Sequence, residues 1–227
     1  MLAENREKFK KIEIKTGEIF SKFFTPNQYT LISLLFVIIS FSFLINLHPA
    51  PTSLEIAGKV FFLSESGGGV NLVLALIFFL LAAFLDFIDG AVARFLQKAT
   101  KKGAYLDTVS DRYVEGIILL GFLFLPLADF LLPAKVWIFL ALFGSLMTTY
   151  AKAATKEKGL IETEMKKGLL GRTERIILIF LAMLLGIFNL SWLIYPIVIL
   201  AVLSNLTAFQ RIYLALRPGQ NQGIRTD

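Results

Sequence analysis

The chain has 227 residues, of which 56% are hydrophobic, 13% aromatic and only 18% charged, with a formal net charge of +6 and a mean hydropathy of +0.70. Soluble domains run at roughly 45–50% apolar and about 25% charged, and disordered chains need low hydrophobicity, so the composition argues against both. There is no cysteine and one histidine, His48, which removes disulfides, cysteine zinc sites and thiol nucleophiles and leaves almost nothing for Ser-His or His-rich sites.

The first stretch, Leu2–Phe24, places Phe9, Ile12, Ile14, Ile19, Phe20, Phe23 and Phe24 among Lys and Glu. That pattern predicts an amphipathic helix lying on a membrane face; a solvated tail is the plainer alternative. No cleavable signal peptide is expected, because the first apolar run is too long and lacks a small-residue cleavage site. Six apolar runs follow, at about Tyr29–Leu47, Asn71–Leu96, Ala104–Leu125, Ala134–Ala154, Ile176–Phe188 (begun earlier, near Gly168) and Trp192–Leu216. Runs of about 20 residues cross a hydrocarbon core of roughly 30 Å as helices. They lack the period-2 alternation of barrel strands, so the expected fold is an all-α, six-helix membrane bundle. The expected organisation is a surface helix over 1–26, a membrane domain over 27–217 and a tail over 218–227.

Between the first two runs, the 48–70 loop contains Pro49, Pro51 and Gly67–Gly69. No Lys-Ser/Thr follows the glycines, so this is no phosphate-binding loop, and a flexible turn is expected. Val60–Leu63 is read as dipping into the interface, and His48 receives no role.

Charge sets the orientation. Of 23 basic residues, all but Lys59 and Lys135 fall at the N-terminus, the 94–103 turn, the 152–175 loop, the C-terminus or, for Arg112, near that edge. Both termini are therefore expected on the cytoplasmic side of the cell membrane, beside anionic lipid. Nucleic-acid binding is the weaker reading, since these charges sit at helix ends next to lipid.

The second run ends LAAFLDFIDGAVARFL and the third begins GAYLDTVSDRYVEGI. Asp86 and Asp89 are three apart, and Asp107 and Asp111 are four apart, so each pair shares a helix face. A charge at the centre of a span costs at least ~2.5–3.5 kcal/mol. A divalent cation, or two, offsets four converging carboxylates economically, and hard oxygens suit Mg²⁺, Mn²⁺ or Ca²⁺. A cation or proton pathway is also built from intramembrane acids, as is a purely ion-paired cluster. The acids alone leave all three open.

Residues 86–111 read D-x2-D-G-x2-A-R-x8-G-x3-D-x3-D, through Asp86, Asp89, Gly90, Ala93, Arg94, Gly103, Asp107 and Asp111. This resembles the signature of the CDP-alcohol phosphotransferase family, and the likeness extends over nearly the whole chain. The resemblance implies a reaction in which an alcohol attacks the lipid-side phosphorus of a CDP-linked lipid and CMP leaves. It implies two Mg²⁺ ions, with Mn²⁺ as the alternative, held by Asp86, Asp89, Asp107 and Asp111, and Asp111 as general base. Two metals suit in-line displacement because they stabilise both the attacking and the leaving oxygen. The stretch Thr25-Pro26-Asn27-Gln28-Tyr29-Thr30 resembles the family's nucleotide-contacting motif, which assigns Asn27, Thr30, Gly90, Arg94 and Thr100 to the CDP-lipid. A homodimer is expected from the same resemblance.

For the acceptor, Tyr150–Ala154 and Gly168–Ile176 look like stretches of the phosphatidylinositol-phosphate and archaetidylinositol-phosphate synthase branch. That branch uses inositol 1-phosphate. Guanidinium forks suit an anionic phosphate, so Lys152, Arg172, Arg175 and Arg211 are the expected acceptor contacts. Gly171 stands where the branch has Glu before its first Arg, a departure that leaves the register of Arg172 and Arg175 against the branch pattern open. Glycerol 3-phosphate, serine or a CDP-inositol and inositol phosphate pair are the alternative substrates.

Overall fold

The computed structural model describes residues 13–47, 54–56, 59–61, 66–97, 100–160 and 168–217. Two compact units, Met1–Gly121 and Phe122–Asp227, divide the chain, and each is described by itself. His48, Lys98, Lys166, Lys167 and the segments 1–12 and 218–227 lie outside the described residues.

In the first unit, residues 13–20 are helical. Then come α1 (Pro26–Ile45), a short antiparallel hairpin of β1 (Leu54–Ile56) and β2 (Lys59–Phe61), α2 (Ser66–Phe95) and α3 (Lys101–Phe122). Local chemistry starts α1. Thr25 is extended at the N-cap, Pro26 sits at the first helical position, and Gln28 Oε1 accepts the Thr25 N–H at 2.8 Å. Asn46 ends it, its Nδ2 donating to Ser42 O at 2.8 Å. Thr100 caps α3, its Oγ1 accepting the Gly103 N–H at 3.0 Å.

Helices α1 and α2 run antiparallel. Ser40 Oγ donates to Ala75 O at 2.7 Å and Asn71 Nδ2 donates to Asn46 O at 2.8 Å. α3 runs parallel to α1: Gly103 lies near Asn27, and a Cβ on Gly121 would come 2.6 Å from Leu44 Cδ1. The helical segment 13–20 lies on α2 through Gly17, where an added Cβ would sit 2.5 Å from Ala91 O. Phe20 packs against Tyr29, Ile88 and Val92, and the Tyr29 hydroxyl donates to Phe20 O at 2.9 Å. Ile14, Ile19, Phe23 and Phe24 stay exposed.

The second unit comprises α4 (Ala134–Glu157), α5 (Arg172–Phe188), a 3-10 turn (Leu190–Leu193) and α6 (Ile194–Leu216). α4 and α6 pair antiparallel through buried small polar groups. Thr148 Oγ1 lies 2.9 Å from Ser204 O, and Asn205 Nδ2 donates to Leu140 O at 2.9 Å. Gly144 permits this approach, since a Cβ there would lie 2.8 Å from Asn205 N.

The polarity is arranged for lipid. Leu31, Leu35, Ile38, Phe139, Phe143, Leu206 and Phe209 are exposed, whereas Thr30, Ser33, Ser40, Ser145, Thr148 and Ser204 are buried between helices. Membrane helices associate through such small and polar residues because lipid provides no hydrophobic drive between them. Among the described residues, four helices are long and apolar enough to cross a bilayer: Pro26–Ile45, Gly69–Phe95, Ala134–Glu157 and Leu190–Leu216. The protein is therefore a multi-pass, predominantly helical membrane protein. The third and fifth expected spans are helices, but length and composition do not mark them as spans. α3 carries Lys101, Lys102, Asp107, Asp111, Arg112 and Glu115, and α5 has 17 residues, about 25 Å of rise. The glycine-rich turn expected around Gly67–Gly69 is instead the first turn of α2, and β2 takes Val60 and Phe61 into the hairpin.

Candidate active site

α2 presents Asp86 and Asp89 one turn apart, and α3 returns Asp107 to meet them. One carboxylate oxygen from each lies within 4.8 Å of the other two. Asp89 is buried, at 6% exposure, and Asp86 and Asp107 are half-buried. At such spacing two full charges repel by at least about 3 kcal/mol, taking an effective dielectric near 20. The donor set fits a hard divalent cation. Oxygens on opposite sides of one ion, each at about 2.1–2.4 Å, stand about 4–5 Å apart.

Thr30, on α1, donates its hydroxyl to Asp89 Oδ2 at 2.7 Å, and both side chains are buried. Thr30, expected at the CDP-lipid, is thus bonded to a carboxylate of the cluster. Asp111 lies one turn beyond Asp107 and is 7% exposed. It does not belong to the three-carboxylate group. Its Oδ2 is 3.8 Å from Arg112 Nη2, while Arg112 Nη1 donates to Glu115 Oε2 at 3.0 Å.

The remaining nucleotide candidates sit at the same end of the unit. Asn27 is exposed in the first turn of α1, its Oδ1 3.6 Å from where a Gly103 Cβ would be. Thr100, whose Oγ1 would lie 3.2 Å from the same Cβ, uses an oxygen lone pair in capping α3. The Arg94 guanidinium folds over Gly90, where a Cβ would lie 3.0 Å from Nη2, and pairs with Glu13. Glu13, Arg112 and Glu115 form ion pairs with or beside these residues although no motif picked them out. Their signal was only that each is a charge beside apolar helix.

In the second unit, Arg211 Nη1 donates to Thr148 O at 2.7 Å. Gly168 packs against Arg211 and Thr207, and Leu170 N donates to Thr207 Oγ1 at 3.1 Å. Arg211 thus ties α6 to α4 beside the loop that leads into α5. Lys152 stands one turn along α4 from the carbonyl that Arg211 binds, on the same face. Arg172 opens α5, and Arg175, one turn later, is buried at 3% exposure.

The family model for CDP-alcohol phosphatidyltransferase matches residues 23–206. The chain is 32% identical over 216 residues to archaetidylinositol phosphate synthase of Pyrococcus horikoshii, covering 95% of this chain and 96% of that one. It is 33% identical over 205 residues to the bifunctional IPC transferase and DIPP synthase of Aquifex aeolicus, covering 87% of this chain but 40% of that relative's length. The fold is similar to that of Mycobacterium tuberculosis phosphatidylinositol phosphate synthase solved with CDP-DAG bound. The TM-score is 0.69 at 22% identity, over 95% of this chain and 99% of that one. The same mycobacterial protein in complex with manganese and citrate gives a TM-score of 0.68 at 22% identity, over 94% and 93%. Matched over most of its length by the model and nearly end to end by an archaeal relative, the chain belongs to the CDP-alcohol phosphatidyltransferase family and is a membrane transferase of phospholipid synthesis.

Proposed function

We propose that this transferase displaces CMP from a CDP-linked lipid, CDP-diacylglycerol or CDP-archaeol, with a hydroxyl of inositol 1-phosphate. The product is a phosphatidyl- or archaetidyl-inositol phosphate. The observation that carries the reading is the convergence of Asp86, Asp89 and Asp107 from two helices onto one small volume. Supporting it are the relatives named for inositol-phosphate lipids, and the manganese and CDP-DAG of the mycobacterial structures.

Asp86, Asp89, Asp107 and Asp111 hold two Mg²⁺ ions, with Mn²⁺ able to replace them. When bound, these ions neutralise the pyrophosphate and the charge that develops on its oxygens. Asp111 takes the proton from the attacking hydroxyl. The hydroxyl oxygen bonds to the lipid-side phosphorus as the bridging P–O bond breaks, and CMP leaves with that electron pair. Thr30 orients Asp89. Asn27, Gly90, Arg94 and Thr100 bind the nucleotide end. Lys152, Arg172, Arg175 and Arg211 are assigned to the acceptor's phosphate. In this reading α3 and α5 also span, giving six spans over 27–217, with the N-terminal helix on the cytoplasmic surface beside the site. The enzyme works as a homodimer.

The test is a substrate panel scored by CMP release. Inositol 1-phosphate, glycerol 3-phosphate, inositol and serine are each combined with CDP-diacylglycerol or CDP-archaeol. Metal-dependent CMP release with inositol 1-phosphate well above the others is expected. Preference for another acceptor overturns the head-group assignment. Ion flux in liposomes without CMP release overturns the enzyme reading in favour of a cation or proton pathway. The identity to the Aquifex protein supports a second reading, CDP-inositol as donor to inositol phosphate, which is tested by adding CDP-inositol with inositol 1-phosphate to the panel.

A further inference from the structure

We propose that Glu13 is a positioning residue for the nucleotide site: carried on the helical segment 13–20, it fixes the Arg94 guanidinium over Gly90. The proposal rests on the reading of Arg94 as a nucleotide contact given above.

Two helices meet in register here. Gly17 lies against α2, where an added Cβ would sit 2.5 Å from Ala91 O and 2.7 Å from Phe95 Cβ. A backbone oxygen cannot swing aside, so this contact fixes where the segment lies along α2. Glu13 stands one turn before Gly17, and Arg94 one turn after Ala91, so each pair shares a face of its own helix. The segment runs antiparallel to α2, because Phe20 reaches Ile88 and Val92 and lies edge-on to Phe84 at a centroid distance of 6.2 Å. Seating Gly17 on Ala91 therefore brings Glu13 to Arg94. The Tyr29 hydroxyl, donating to Phe20 O at 2.9 Å, secures the far end.

The choice of atoms gives the pair its consequence. Glu13 Oε1 meets Arg94 Nε. The two Nη atoms lie over Gly90, 3.0 and 3.2 Å from where its Cβ would be. The Arg94 side chain is 59% exposed and that of Glu13 21%. Water screens such a pair, so it adds little to stability. Orientation is another matter. A long arginine in water samples many rotamers, and a ligand that uses it must first order it. A carboxylate on Nε, with the side chain lying on a residue that has no Cβ, removes much of that freedom before the ligand arrives. The Nη hydrogens are then held ready as donors. Glu13 thus acts on the nucleotide through Arg94, by holding the arginine rather than by touching the ligand.

The measurements are Kd for CDP in the presence of Mn²⁺, Mn²⁺ affinity by electron paramagnetic resonance, and kcat for CMP release at saturating substrate, on the full chain in nanodiscs. Arg94→Ala is expected to weaken CDP by about tenfold or more, the loss of a forked donor. Glu13→Gln should weaken CDP by about three- to tenfold, the cost of ordering one long side chain on binding. Its Mn²⁺ affinity and kcat should stay within about twofold of wild type. Gly17→Val, which forces the segment off α2, should lose CDP affinity to a similar degree. Adding Glu13→Gln to Arg94→Ala should cost nothing further, because the two act as one unit. A merely structural Glu13 would instead weaken the Arg94→Ala protein again. That second loss, or CDP affinity within about 1.5-fold of wild type in either Glu13→Gln or Gly17→Val while Arg94→Ala is impaired, overturns the proposal and leaves Arg94 at the nucleotide. Wild-type CDP affinity in Arg94→Ala overturns the nucleotide reading of Arg94 itself, and the role of Glu13 with it.

Discussion

Replacing Thr30 with Val removes one hydroxyl and almost nothing else. The Thr30 Oγ1 to Asp89 Oδ2 distance is 2.7 Å, against 3.2 Å to its other neighbour, Pro26 O. One hydroxyl proton serves one acceptor well, and the shorter contact to a charged oxygen takes it. Hydrogen bonds to charged groups are worth about 1.5–3 kcal/mol. Thr30 is 4% exposed and Asp89 6%, so water does not readily replace the lost donor. Asp89 keeps its other interactions, and the loss is therefore partial. We expect Thr30→Val to weaken apparent metal affinity by about 10- to 100-fold, the range seen when a ligand loses its orienting partner. Thr30→Ser, which keeps the hydroxyl, should stay close to wild type. The assay is CMP release as a function of Mg²⁺ and Mn²⁺ concentration, with Mn²⁺ binding measured directly. Thr30→Val within about twofold of wild type in both measurements would refute the idea that this hydroxyl positions Asp89.

Gly90→Ala places a methyl 3.0 Å from Arg94 Nη2, a flexible end that moves aside. Its KM for the CDP-lipid should rise several-fold with little loss of kcat; an unchanged KM would remove Arg94 from the nucleotide site. Gly144→Ala meets the Asn205 backbone nitrogen at 2.8 Å, which cannot swing away. It should destabilise the second unit by about 1–3 kcal/mol, read as a lower melting temperature in detergent. Chelation should abolish CMP release, with recovery on Mg²⁺ or Mn²⁺ and none on Na⁺; activity persisting in excess chelator would refute the metal requirement.

The membrane class, the helical architecture and the acid-rich helix ends were readable from residue order because they depend on local quantities. Hydrophobic run length, the three- and four-residue spacing of the aspartates and the basic bias of the loops all lie within short windows. The Thr25–Gln28 cap and the Thr100 cap are equally local. Reading went astray where composition and conformation part company. Gly67–Gly69 look like a loop, yet they open α2. α3 is a helix in spite of its charges, and its place among the spans is not settled by hydropathy.

By itself, the sequence determined that this is a multi-pass transferase carrying a carboxylate signature, since a motif at fixed spacing on helices carries its geometry with it. Only the tertiary structure decided which side chains act together. Asp107 joining Asp86 and Asp89, Thr30 reaching Asp89, Glu13 pairing with Arg94 and Arg211 binding Thr148 O link residues far apart in the chain. Helical periodicity says which way a side chain faces on its own helix. It carries no information about which helix comes to face it, and that is set by how closely the small residues let the backbones approach.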